Sequence, residues 1–297
     1  MNTTMNATMN TTAWLIRREF WENRAIWVIP GVIGAIMLLA ALFGNIEHMA
    51  LPAEFPTPAV GQIFLVAVVT TFFAVMSIYS TWYLLDCLYA DRKDRSVLFW
   101  KSLPISDTAT VMSKLATALL VIPLVYFVAG DLTSLLMAFI VSVRASALVG
   151  GALWHADLWL QLQVFWIYLI VTAAIWFLPI AAYLLVISAW AKRAVMLWSI
   201  LPPITAILVE RWFFGTHVIF HQIGTRLVSL PAVAFNTKLG SWTTTVVDHG
   251  TVRTPADIWS FLNFGGFLAN PATWIGAAVG VALILCAIQL RMRRTEI

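Results

Sequence analysis

Six stretches of this chain run long and apolar with few charges, approximately Ala25–Gly44, Ile63–Leu88, Met112–Val143, Leu158–Trp190, Val195–Phe214 and Pro271–Leu290. A bilayer core of about 30 Å needs about 20 mostly apolar residues per spanning helix, because each residue rises about 1.5 Å. All six meet that length. The chain is 61% hydrophobic with a mean hydropathy of +0.87, above the apolar share of about half that soluble domains use. The expected fold is therefore an all-α polytopic membrane protein with six transmembrane helices. They form a single transmembrane domain over residues 13–297. The third and fourth stretches exceed one crossing, so they are expected to tilt, to kink at Pro123 and Pro179, or to extend beyond the lipid.

The charge of +4 and the pI near 9.3 are explained by the sorting of basic residues between two sides, with no nucleic-acid partner implied. With the N-terminus in the cytoplasm, Arg17, Arg18, Arg24, Arg92, Lys93, Arg95, Lys101, Lys114, Lys192, Arg193, Arg291, Arg293 and Arg294 fall inside. Only Arg144, Arg211, Arg226, Lys238 and Arg253 fall at or beyond the outer side. That bias predicts an inner-membrane protein with both termini cytoplasmic. Trp21, Trp27, Trp190 and Trp198 near inner boundaries, and Trp154, Trp159, Trp212 and Trp274 near outer ones, fit the interfacial preference of the indole ring.

The leader MNTTMNATMNTT (residues 1–12) is a degenerate polar repeat with nothing to bury, and disorder is expected. The first apolar stretch is too long for a signal-peptide core, and no convincing small-residue cleavage site follows it, so it is expected to stay in the mature protein. Cys87 and Cys286 fall in apolar stretches and imply no disulfide framework. Ahead of the first stretch, TAWLIRREFWENR interleaves Trp14, Phe20 and Trp21 with Arg17, Arg18, Glu19, Glu22 and Arg24. This is the pattern of an amphipathic helix lying in the inner interface.

Between the second and third stretches, YADRKDRSVLFWKSLPISD gathers Asp91, Arg92, Lys93, Asp94, Arg95, Lys101 and Asp107 on the cytoplasmic side. Alternating signs suit a solvated helix over residues 91–104 with local pairs such as Asp91 with Arg95. The following run Val97, Leu98, Phe99, Trp100 calls for a partner surface. Pro104 ends the element, and Ser106 or Asp107 is a suitable N-cap for the third helix. In the outer loop, residues 215–270, the patches LVSLPAVAF and IWSFLNFGGFL are shorter than a span. They suit helices that dip partly into the membrane or lie on its outer face, while TTTVV suits a strand or hairpin.

The segments LIRREFWENR and YLLDCLYADRKDRSVLFWKSLPISDTATVMSKL resemble permease subunits of the ABC-2 type in bacterial ABC transporters. The likeness also covers the six-span layout loosely, and it is weak across residues 217–270. It implies a connecting helix carrying Arg17, Arg18, Glu19, Phe20, Trp21 and Glu22. It also implies a coupling helix carrying Asp91, Arg92, Lys93, Asp94, Arg95, Phe99, Trp100 and Lys101, and a re-entrant outer loop before the sixth span. In that family the two inner helices contact a separately encoded ATPase, present in two copies. Two permeases, identical or closely related, then rock between inward- and outward-facing states. The implied protein is an exporter of an amphipathic or hydrophobic cargo, such as a drug, peptide or lipid-like molecule. ATP and Mg would be bound by the partner and no cofactor by this chain directly.

The sequence contains no Gly-Lys dipeptide, so a phosphate-binding G-x-x-x-x-G-K-[ST] loop is excluded. His217 and His221 share a helical face, which Glu210 joins if the helix continues through Gly215; they are weak metal-ligand candidates without an H-E-x-x-H motif. Asp131, Glu210 and Arg211 interrupt apolar helices, where ionisable groups are either functional or paired structurally, for example Asp131 with Arg211. Pro202 and Pro203 are expected to free backbone carbonyls in the fifth helix. Two other classes stay open: a membrane enzyme acting through His217, His221, Asp248 or His249, and a non-transporting scaffold or sensor.

Overall fold

In the computed structural model, residues 14–44, 57–93, 106–144, 151, 153–236 and 258–293 are described. Helix α1 covers residues 14–22, followed by α2 (Ala25–Phe43) and α3 (Thr57–Lys93). The third span is α4 (Asp107–Ala116), a π-helical segment (Thr117–Val121) and α5 (Ile122–Arg144). Next come α6 (Ala156–Trp176), α7 (Leu178–Trp190) and α8 (Val195–Val209), which runs into a second π segment (Glu210–Phe214). The region between the last two long helices contributes α9 (Val218–Val228), α10 (Leu230–Ala234), α11 (Ile258–Phe261) and α12 (Phe264–Ala269) before α13 (Pro271–Arg293). Six helices are long and apolar enough to cross a membrane, and among the described residues no strand forms beyond an isolated bridge between Phe235 and Leu262. The leader (1–12) and the TTTVV segment lie outside the described residues.

The prolines shape the helices in three different ways. Pro123 has no N–H to offer the Leu119 carbonyl, and just before it the ladder widens, with the Ile122 N–H bonding the Thr117 carbonyl. Pro179 stands in the first turn of α7. Its ring would crowd the Ile175 carbonyl in a continuous helix, so the chain breaks at Phe177 (ψ 2°). The long fourth stretch, expected as one span over 158–190, is thus two helices, of which α6 alone has spanning length. Pro202 and Pro203 leave α8 helical. The Ser199 carbonyl that Pro203 cannot engage accepts the Tyr183 hydroxyl of α7 at 3.1 Å.

Ser106 is the N-cap of α4, its hydroxyl accepting the Ala109 N–H at 3.1 Å, with Asp107 in the first turn. At the other end of this span, Arg144 donates to the Ala41 and Gly44 carbonyls at 2.6 and 3.1 Å and so caps α2. The second helix extends beyond its apolar stretch and ends in Arg92 and Lys93, whose charge suits a helix C-terminus.

Phe72 of α3, Tyr126 of α5 and Trp166 of α6 meet in the core, all fully buried. Gly130 permits this approach: a Cβ there would lie 3.1 Å from the Trp166 ring and 3.2 Å from the Phe72 ring. The most extensive helix pairing is α7 along α13, where Gly280 lies against Leu178 and Gly280, Ile284 and Ala287 are buried. Small residues at such spacing let helix backbones pack closely where lipid supplies no hydrophobic drive between helices. By contrast, α8 is the least buried of the six, exposing Met196, Leu197, Ile200, Ile204 and Leu208.

The short helices α9–α12 pack against α6 and α13. Tyr168 of α6 donates to the Ala234 carbonyl at 2.5 Å, and Phe235 meets Phe165, Tyr168 and Phe261. Trp176, in the last turn of α6, donates to the Arg226 carbonyl at 2.8 Å. The Arg226 guanidinium stacks over that indole at 4.2 Å and bonds the Ala272 carbonyl, while burial lowers its pKa from the ordinary arginine value. Trp176 lies about 30 Å along α6 from its start, so α9 reaches the far end of α6.

Candidate functional site

The ends of α1, α3, α4 and α13 carry charges that the fold brings together. Lys114 of α4 sits 2.9 Å from Glu19 of α1 and 3.3 Å from Asp91 of α3. Asp91 continues to Arg291 of α13 at 3.4 Å, and Arg291 to Asp107 of α4 at 3.1 Å. Tyr83 of α3 donates to the second oxygen of Glu19 at 2.8 Å. Lys114 is 2% exposed, Glu19 3%, and Asp91 and Arg291 7% each. Desolvating so many charges is costly, and the cost is offset only by well-directed pairing. Here negative and positive groups alternate along the chain of contacts, so each charge faces its opposite.

The sequence supports this assembly locally. Asp107 and Lys114 are seven residues apart, two turns along one face of α4. Asp91 lies in the last turn of α3, two residues before Lys93, and Arg291 lies in the last turn of α13. A single guanidinium therefore holds Asp91 and Asp107, which stand just outside Lys93 and Ser106, the described residues at the two edges of segment 94–105. Arg92 adds a second tie: its guanidinium donates to the Ser188 and Ala191 carbonyls at 2.6 and 2.8 Å, capping the end of α7. Ser188 reciprocates, its hydroxyl accepting the Leu88 and Tyr89 N–H groups at 3.1 Å each. The arrangement fixes five helix ends against one another.

Asp91 and Arg92 thus depart from the expectation of a solvated helix over 91–104. Both are buried, and both belong to the end of α3, because Lys114, Arg291 and the α7 carbonyls compensate them inside the bundle. Lys93 is exposed. Asp94, Arg95, Phe99, Trp100 and Lys101 lie outside the described residues, so the expected Asp91–Arg95 pair lies outside them too. In α1, Glu19 turns inward and Phe20 is half-buried. Trp21 is exposed, Arg18 pairs with Glu22 at 2.7 Å, and Arg17 lies over the Trp14 ring at 5.4 Å.

The three apolar-helix interruptions separate. Asp131 accepts a bond from Gln163 of α6 at 2.5 Å; the suggested pairing with Arg211 does not form, and Arg211 is exposed. Glu210 is the buried cap of α9, accepting the Val218 and Ile219 N–H groups at 2.6 and 2.8 Å and the Thr216 hydroxyl at 2.6 Å. The helix does not continue through Gly215, which is left-handed at φ 64°. The shared face of Glu210, His217 and His221 therefore does not exist. Both histidines are exposed, and among the described residues no group of three His, Cys, Asp or Glu side chains is placed to hold a metal ion. Asp248 and His249 lie outside the described residues. Cys87 is buried and Cys286 exposed, both as free thiols.

Lys114, Tyr83 and Arg291 were not singled out from the sequence as site residues. The signal for Lys114 was a charge inside the third apolar stretch, a position that marks a functional group by default. Compared with models of known protein families, with curated proteins and with solved structures, the chain matches none.

Proposed function

We propose that this chain is the membrane subunit of an ATP-driven exporter of the ABC-2 permease type, moving an amphipathic or hydrophobic cargo with a separately encoded ATPase. The observation that carries the reading is the grip of Arg291 on Asp91 and Asp107. Segment 94–105, with its charges and its Phe99 and Trp100, lies between Asp91 and Asp107, both tied to the last span, and Asp91 is tied through Lys114 to α1. A force applied to that segment by a partner is delivered to α1, α3, α4 and α13 together. Buried, directional ion pairs transmit such a displacement because they have few alternative arrangements.

On this reading α1 is the connecting helix and segment 94–105 the coupling element. Lys93, Asp94, Arg95, Phe99, Trp100 and Lys101 face the ATPase, while Glu19, Asp91 and Arg92 form the inner side of the same device. The helices α9–α12 form the re-entrant outer region, in keeping with the reach of Arg226 to Trp176. The basic residues of α1, the end of α3, the α7–α8 turn and the end of α13 gather at the network's end of the bundle, which supports a cytoplasmic placement of that end. The exposed apolar face of α8 leaves a surface for lipid or for a second permease copy.

The test is co-expression of the full chain with a candidate ATPase encoded beside it, followed by purification and native mass measurement. The expected species contains two permeases and two ATPases. A permease that stays monomeric and binds no ATPase rejects the reading.

A further inference from the structure

Beside the ion network, α1 and α3 leave a cavity of about 570 Å³. Its walls carry two cations, Arg18 and Lys114, and four carboxylates, Glu19, Glu22, Asp86 and Asp91. Arg18 is taken by Glu22, and Lys114 by Glu19 and Asp91, with Arg291 on the far oxygen of Asp91. Asp86 has no ion-pair partner among the described residues, although it lies within a candidate span. Asp86 is exposed on the open side of the helix, and a carboxylate within a span calls for water or a counter-charge.

The surroundings of Asp86 specify what that counter-charge is attached to. Tyr79, Trp82 and Tyr83 stand seven, four and three residues before it on the same face of α3, and all three line the cavity. Aromatic faces attract cations as well as apolar surface. Trp82 and, four residues earlier, Ile78 are exposed on the side of the helix left open by the bundle, giving an apolar tail a path out of the cavity. An anion would meet an uncompensated negative charge, and a neutral amphiphile would cover Asp86 without pairing it.

We propose that this cavity binds an amphipathic organic cation, with the cationic head on Asp86 among Tyr79, Trp82 and Tyr83 and the apolar body along Trp82. The same chemistry is offered by the ammonium head of an aminophospholipid and by a soluble lipophilic cation. As a loading site it would name the cargo class of the exporter, and only that step rests on the transport reading.

The test uses the full chain in phosphatidylglycerol nanodiscs, with empty discs as the blank and no ATPase present, so failure of the transport reading leaves its result standing. Binding of tetraphenylphosphonium is measured by equilibrium dialysis and compared with tetraphenylborate, an anion of the same shape. The cation binds the wild-type chain more tightly than the anion. Asp86→Asn weakens cation binding roughly tenfold, the equivalent of one charge contact at a partly exposed site, while Asp86→Glu stays within about threefold of wild type because it keeps the charge. Weakening of the phosphonium by added phosphatidylethanolamine assigns the site to the lipid head, and unchanged binding assigns it to a soluble cation. Equal binding by wild type and Asp86→Asn, or equal binding of the borate, overturns the proposal.

Discussion

Replacing Lys114 with methionine removes the one ammonium shared by Glu19 and Asp91 while keeping the length and apolar stem of the side chain. Taking one partner from a buried ion pair costs about 3–5 kcal/mol in general, because the remaining charge stays desolvated. Here each stranded carboxylate keeps a second contact, Glu19 with the Tyr83 hydroxyl at 2.8 Å and Asp91 with Arg291 at 3.4 Å. The expected loss is therefore near the lower bound, about 3 kcal/mol. Glu19→Gln strands less, since Lys114 retains Asp91, and about 2 kcal/mol is expected. In the double variant the Glu19–Lys114 pair becomes neutral and similar in volume, so the two losses should not add; a coupling energy of about 2 kcal/mol is expected from the cycle. The assay is unfolding of the purified full chain by sodium dodecyl sulfate in mixed micelles, followed by circular dichroism. Single variants that each cost less than about 0.5 kcal/mol, or a cycle that closes additively, would mean that the network is hydrated and does not lock α1 to α4.

Two further outcomes follow from the proposed orientation and from helix packing. In a chain lacking Cys87 and Cys286, single cysteines at Ser96 and Thr244 are expected to react with an impermeant thiol reagent from opposite sides of the membrane, whereas labelling of both from outside is incompatible with six spans in the proposed orientation. Gly280→Ala is expected to cost about 1–3 kcal/mol in the same micelle assay, since the added Cβ would lie 2.8 Å from the Leu178 Cγ and 3.2 Å from its backbone carbonyl carbon. Adding Leu178→Ala should recover part of that loss, and a neutral Gly280→Ala would show that α7 and α13 are not packed at this point.

The spans were legible because length and apolarity act residue by residue along one helix. The start of the third span was legible for the same local reason, Ser106 being a good cap just ahead of Asp107. The break at Pro179 was half legible: a proline in a long apolar run announces a disturbance, but its outcome depends on whether neighbours donate to the freed carbonyl, as the Tyr183 hydroxyl does for the same problem at Pro203. Charge was harder to read, because its cost depends on groups far away in sequence. Glu19 and Lys114 are 95 residues apart, and Asp91 and Arg291 are 200 apart. Local sign alternation around Asp91 pointed to a solvated helix, and only the convergence of α4 and α13 reverses that. Asp86 and Lys114 nevertheless stood inside apolar stretches, where ionisable groups are costly. Glu210 could be placed in an apolar helix from the sequence, but its role as the cap of α9 depended on the left-handed turn at Gly215.

The proposed drive of this chain by an external ATPase acting through segment 94–105 is tested most directly by reconstituted hydrolysis. In proteoliposomes holding both subunits, vanadate-sensitive ATP hydrolysis should depend on the partner's phosphate-loop lysine and should rise with transported cargo. Arg95→Ala or Trp100→Ala should lower that rise while leaving the permease folded and inserted, through loss of an interface anchor of more than about 1 kcal/mol. Arg291→Gln, which releases Asp91 and Asp107 inside the bundle, should leave the ATPase bound but no longer stimulated by cargo. Full stimulation in all three variants, or movement or modification of a substrate by the chain with no ATPase present, would contradict the account.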